Sequence, residues 1–190
     1  INRDVNGLPQ RMNMLTIDFG TGLYCFQAVA AALYRRAMKG GGKHIQTSLL
    51  ESSLVFQEAA MMESYLQDGE VEPIGMPVGT FKTKDGYMSI NARRDPHFQA
   101  LCKLLGKEEW IDDPKYSVVR ERVRNREELL GIIRPIIETK TSDEWNKAIS
   151  AIDVLNAKVH THHDLFEDEQ VKAMNAVHWI ENDTLGQVPM

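Results

Sequence analysis

Asp18 is the only acidic residue between Met14 and Leu50, and it stands between the apolar Ile17 and Phe19, just ahead of Gly20-Thr21-Gly22. A lone carboxylate at the mouth of an apolar segment has two kinds of use. It can cap a helix N-terminus, which stabilises by about 1 kcal/mol. It can also do chemistry, as a nucleophile or as a proton acceptor. The residues around Asp18 leave both open.

The other chemistry-bearing groups reduce to simpler readings. KGGGKH at 39–44 invites comparison with a phosphate loop, but that pattern wants Gly at 37 and Ser or Thr at 44, where Ala37 and His44 stand. A helix C-terminus followed by a turn accounts for the glycines. His160, His162, His163 and Asp164 form the run HTHHD, yet no Cys/His pattern nearby supplies further ligands at regular spacing, so a solvated loop is expected and no metal site. Cys25 and Cys102 lie in apolar helical patterns without metal-ligand spacing and are expected as buried, reduced thiols. His44, His97 and His178 are isolated. The runs ERVRNREE and FEDEQ read as solvated helix faces with i,i+4 pairing.

The elements that must hold Asp18 follow from periodicity. Leu23, Phe26, Ala30, Leu33 and Ala37 recur at helical spacing over Thr21–Met38, and Ala28, Ala30, Ala31 and Ala32 keep one side slim, so the spacing predicts a buried helix. In this reading Asp18 caps it and Gly40-Gly41-Gly42 end it. KHIQTSLL alternates like a strand, and an apolar pattern over Leu50–Leu66 predicts a second long helix. The segment QDGEVEPIGMPVG, 67–79, mixes Gly, Pro and acids and marks the expected domain boundary. TFKTKDGYMSINA predicts a hairpin about Asp85-Gly86. Helices are expected over Pro96–Leu105, Asn125–Glu138 and Ser142–Ile152, the last opened by the Thr141–Glu144 capping group. VLNAKVHT and VHWIE read as strands, and HHDLFEDEQVKAMN as a loop with one or two helical turns. Residues 1–15 read as a turn-rich, extended lead-in.

The 190 residues carry 27 acidic against 22 basic side chains, a net charge of -5, with 43% hydrophobic residues. That is enough for a sizeable core and lacks the concentrated positive charge a nucleic-acid surface needs. No apolar run approaches the roughly 20 residues that span a bilayer, and the first residues lack signal-peptide character. The expectation is a cytoplasmic protein with neither a nucleic-acid nor a membrane partner. An Ile start and a stop at GQVPM, where an apolar stretch is beginning, lead us to expect a fragment of a longer chain.

One long block gives these pieces a context. NGLPQRMNMLTIDFGTGLYCFQAVAAALYRRAMKGGGKHIQTSLLESSL resembles the central block of the family III CoA-transferases, which include formyl-CoA transferase and the carnitine CoA-transferases. The shared order is a G-x-P turn, an apolar run, Asp, a small-residue turn, an alanine-rich helix ending R-x-x-x-x-G-x-G, and an acidic residue at the next helix. The resemblance continues through GTFKTKDGYMSINARRDPHFQALCKLLGKEEWIDDPKYSVVRERVRNREEL and AKVHTHHDLFEDEQVKAMNAVHWIENDTLGQVP, nearly the whole chain.

The resemblance implies an α/β fold: residues 1–66 as part of a Rossmann-like large, CoA-binding domain with a linking helix, 67–152 as a small α+β domain with a short antiparallel sheet, and 153–190 as a return segment towards the large domain. It implies that Asp18 is a nucleophile. The carboxylate would attack an acyl-CoA thioester to give a mixed anhydride, the released CoA thiolate would re-attack to give an aspartyl-CoA thioester, and a carboxylic acid would complete the exchange. Coenzyme A thioester is then a cosubstrate, with no tightly bound cofactor and no metal; the partners are an acyl-CoA, a small carboxylic acid and, in the full-length parent, a second copy in an interlocked homodimer. Aspartate is ionised at neutral pH without help, so positioning and exclusion of water, which can supply roughly 7–11 kcal/mol, should matter more than charge tuning.

Members of this family are longer, and most nucleotide contacts to CoA fall in a part with no counterpart here, so no cofactor-binding residue is assigned. IGMPVG has only Gly75 and Gly79, and no glycine lid is carried over. Two rivals stand beside the transferase. Asp18-Phe19-Gly20-Thr21-Gly22 also resembles the D-F-G-x-G turn of the alpha-methylacyl-CoA racemases of the same superfamily, where Asp works in proton transfer with a His. The 190 residues by themselves could also be a catalytically inert, dimerising module.

Overall fold

The computed structural model describes residues 14–69 and 73–189, which form two compact units, Ile1–Val71 and Glu72–Met190. The expected lead-in over 1–13 lies outside the described residues. Among them are eight α-helices and two small antiparallel sheets.

The first unit consists of α1, Thr16–Lys39, packed on α2, Leu49–Leu66. Helix α1 begins five residues earlier than its periodicity predicts. Its N-cap is Leu15, which makes no side-chain capping bond, so Asp18 lies inside the first turn and is not the cap. Gly20-Thr21-Gly22, read from sequence as a turn, is helical. Thr21 Oγ1 donates to the Ile17 carbonyl at 2.7 Å, which satisfies the hydroxyl within the helix. Gly20 is buried where α2 crosses: a Cβ there would stand 2.5 Å from Phe56 Cε2. The glycine therefore serves a helix crossing. At the other end Lys39 is the last helical residue, and Gly40, at φ 69°, donates its N–H to the Arg36 carbonyl, as the glycine stop predicts.

Two further expectations for this unit are overturned. Residues 40–48 form no strand; alternation makes a strand only where another chain segment pairs with it, and among the described residues none does. Nor is α1 a buried helix here. Leu23, Phe26, Leu33, Tyr34 and Met38 are exposed, and Gly20 is its only buried residue. Cys25 is accordingly exposed, against the expectation for it, whereas Cys102 is buried and its thiol is pushed up to about 12 by burial.

The second unit is built on a three-stranded sheet in the order β1-β2-β3: Val78–Lys82, Tyr87–Asn91 and Leu155–Lys158. The Asp85-Gly86 hairpin joins β1 to β2 with Lys82 opposite Tyr87, as expected from sequence. Strand β2 is central and alternates, burying Met88 and Ile90 and exposing Tyr87 and Ser89. On these residues pack α3 (Asp95–Leu105), α5 (Arg126–Ile137) and α6 (Ser142–Ser150), each near its expected bounds. Their inward residues fall at helical spacing: Phe98, Leu101 and Cys102; Leu129, Ile133 and Ile137; Trp145 and Ile149. Helix α6 opens with a full capping box between Thr141 and Glu144. The indole N–H of Trp145 donates to the Ile137 carbonyl at 2.7 Å, tying α6 to the end of α5.

A short helix α4, Val119–Arg124, falls in the run read as solvated, and Arg122 within it is fully buried. The last segment holds α7 (His162–Glu167), α8 (Glu169–Ala173) and a hairpin of β4 (Trp179–Asn182) and β5 (Gly186–Pro189).

Candidate active site

Helix geometry decides where the Asp18 carboxylate goes. With Leu15 at the N-cap, Asp18 is the third helical residue, so the backbone N–H groups of Thr16, Ile17 and Asp18 have no acceptor four residues back within the helix. The first hydrogen bond of the helix runs from the Phe19 N–H to the Leu15 carbonyl at 3.0 Å. The partial positive charge of the helix end favours an anion in this turn by about 0.3–1 kcal/mol.

The carboxylate is exposed and, among the described residues, takes part in no hydrogen bond or ion pair. It lines a shallow depression of about 360 Å³ whose other walls are Leu15, Phe19, Gly22 and Leu23. Gly22 contributes no side chain, and no atom lies within 4 Å of where its Cβ would stand, so the space on that side is open. The surroundings are thus apolar with one free anion. In such a setting a carboxylate oxygen has no protein donor to be displaced before it meets a partner from solvent. The buried hydroxyl of Thr16 in the same turn also has no hydrogen-bond partner.

The other residues singled out from sequence fall elsewhere. In HTHHD, Thr161 caps α7 and forms a capping box with Asp164, whose carboxyl is held below the usual range chiefly by the Thr161 backbone N–H. His163 meets the Phe166 ring edge-on, with centroids 6.4 Å apart. Among the described residues no group of three or more His, Cys, Asp or Glu is arranged to hold a metal ion. KGGGKH is the α1 C-terminus and its exit. No described helix is long and apolar enough to cross a membrane.

Sequence reasoning missed Arg122. Its Nε donates to the Met76 carbonyl at 2.9 Å and Nη1 to the Tyr116 carbonyl at 2.8 Å. Nη2 reaches the Arg93 carbonyl at 3.1 Å and Asp95 Oδ1 at 2.6 Å. The guanidinium also lies 4.4 Å from the centroid of the Phe98 ring. One side chain thereby fixes the segments entering β1, α3 and α4.

This combination defines a mixed α/β protein with a solvent-facing carboxylate on the first turn of a long helix, and the arrangement of its chain has been seen before. The crystal structure of Rv3272 from Mycobacterium tuberculosis matches with a TM-score of 0.84 at 23% identity, covering 100% of this chain and 51% of that one. A CaiB/BaiF family protein from Brucella suis matches with a TM-score of 0.76 at 26% identity, covering 95% of this chain and 52% of its own. The sequence model of CoA-transferase family III matches residues 2–190, and the chain belongs to that family.

Among its relatives, an acyl-CoA transferase from Fusarium pseudograminearum is 36% identical over 152 residues, covering 76% of this chain and 33% of the relative. A human succinyl-CoA:glutarate CoA-transferase is 29% identical over 189 residues, covering 96% of this chain and 43% of the relative. The chain therefore spans less than half the length of these relatives.

Proposed function

We propose that this chain supplies the nucleophile and the small domain of a CoA-transferase, which moves CoA from an acyl-CoA donor to a small carboxylic acid through covalent intermediates on Asp18. The observation that carries the reading is the free, exposed Asp18 carboxylate in an apolar depression at the start of α1. Family membership, and relatives whose names describe acyl-CoA and carboxylic acid partners, support it.

The steps balance without a further reactant. An Asp18 oxygen bonds to the thioester carbonyl carbon and the C–S bond breaks, which yields a mixed anhydride and CoA thiolate. The thiolate attacks the aspartyl carbonyl and releases the donor acid. The acceptor carboxylate attacks the aspartyl-CoA thioester and expels the thiolate, which then attacks the acceptor carbonyl and frees Asp18. A carboxylate can carry either the acyl group or the thiol, which divides a difficult exchange into smaller steps.

The extent of the relatives leads us to assign the remainder of the CoA site to chain beyond these 190 residues, and to expect the 190 residues alone to be inactive. The uncovered apolar residues of α1 and α2 support association with that remainder and with a second copy. In the full-length enzyme, Asp18→Asn and Asp18→Ala are each expected to lower transfer by at least about a thousandfold, with acyl-CoA binding retained. Transfer at the wild-type rate in either variant would reject the nucleophile.

A further inference from the structure

A second cleft, of about 240 Å³, lies in the other unit where the end of β2, the start of α3 and the turn after α6 meet. Its polar lining is unusual in being largely unpaired. Arg93 and Arg94 enter α3 and His97 lies in its first turn, and none of the three side chains has a hydrogen-bond or ion-pair partner among the described residues. The carboxylate nearest in sequence, Asp95, is taken by Arg122, which also holds the Arg93 carbonyl. The buried Arg122 therefore sets the backbone from which both free guanidiniums project. Asn91 adds an amide at the end of β2, and Leu155, the first residue of β3, gives an apolar wall. Asp153 completes the rim in a left-handed turn at φ 56° and likewise has no ion pair among the described residues.

We propose that this cleft binds the carboxylate of a small organic acid. Guanidinium groups match a carboxylate with two parallel N–H bonds, and such charge-assisted pairs are the strong ones. Two guanidiniums set against the Asp153 carboxylate leave the lining net positive, which suits one carboxylate group of a short mono- or dicarboxylic acid, with any second carboxylate left in solvent at the open side of the cleft. The volume is below the roughly 300–1,000 Å³ of pockets that enclose larger ligands, so a short acid fits and a nucleotide does not. Naming the bound acid as the acceptor rests on the transferase reading above; the site itself does not.

Isothermal titration calorimetry on the intact chain tests this at constant ionic strength, with glutarate and adenosine 3′,5′-bisphosphate as probes. Saturable glutarate binding is expected, weakened at least about tenfold by Arg94→Gln. Arg94 is exposed, so the fold should survive its loss; an unchanged circular dichroism melt checks this. Asp153→Asn, which asparagine tolerates at positive φ, should tighten glutarate several-fold. No glutarate binding, equal affinity in all three proteins, or bisphosphate displacing glutarate would overturn the proposal. Asp18→Ala should bind glutarate as the wild type does, so a failed nucleophile and a failed cleft give different results.

Discussion

Removing the Arg122 guanidinium would leave the Met76 and Tyr116 carbonyl oxygens without their donor in the interior of the second unit and the Arg93 carbonyl without one at its edge. Asp95, whose side chain is 48% exposed, can instead turn to water. Buried acceptors left unpaired cost more than the bonds they lose. Arg122→Met is therefore expected to destabilise that unit by about 3 kcal/mol. Arg122→Lys should rescue little of it, because an ammonium cannot span acceptors set around a planar fork. Urea unfolding followed by the fluorescence of the buried Trp110 and Trp145 measures both. Nothing local in ERVRNREE announced this role: the acceptors lie 46, 6, 29 and 27 positions away in the chain. The opposite holds for Asp18. Its isolation among apolar residues made it conspicuous in the sequence, and the structure leaves it exposed in an apolar depression. Its exact place in the helix was not legible, because Gly20 and Gly22 read as a turn when a helix crossing explains Gly20.

The second unit's hairpin and α6 are joined by one carboxylate. Asp85 Oδ1 accepts from the Ser142 N–H at 2.8 Å, the Ser142 hydroxyl at 3.0 Å and the Thr83 hydroxyl at 3.1 Å. The Ser142 N–H is the main cause that holds this carboxyl below its ordinary value of 3.8. A carboxyl depressed in the folded state stabilises fully above its unfolded value and loses that contribution as pH falls through the lower, folded value. The unit should thus weaken as pH drops below about 3.8. Asp85→Asn should be less stable at neutral pH and show a shallower acid dependence, as read by denaturant midpoints across an acid series. At the start of the same helix, Thr141→Ala should cost about 1 kcal/mol through loss of the capping box. The hairpin turn and the Thr141 cap were readable because each depends on neighbours within a few residues; the link between Asp85 and Ser142, 57 positions apart, was not. Residues 43–48 were misread as a strand because pairing is decided by chain elsewhere.

Taken as a whole, the chain has one unit with a well-filled core and one that lacks it. The second unit buries Phe81, Met88, Phe98, Leu129 and Trp145 together. The first leaves Phe19, Phe26, Tyr34, Met62 and Tyr65 each more than half exposed. A helix that is apolar all round is normally buried, and exposed apolar patches of this extent mark interaction surfaces. Sedimentation velocity on the 190 residues should therefore show species larger than the monomer, which Phe26→Glu with Tyr34→Glu should dissolve. A monomer at all concentrations would argue against an associating surface. The chemistry is tested most directly by trapping. The intact protein is incubated with acyl-CoA and then hydroxylamine, and the peptide around residue 18 is examined by mass spectrometry. A hydroxamate on Asp18 that needs acyl-CoA is the predicted result; an unmodified Asp18 during active turnover would contradict the account.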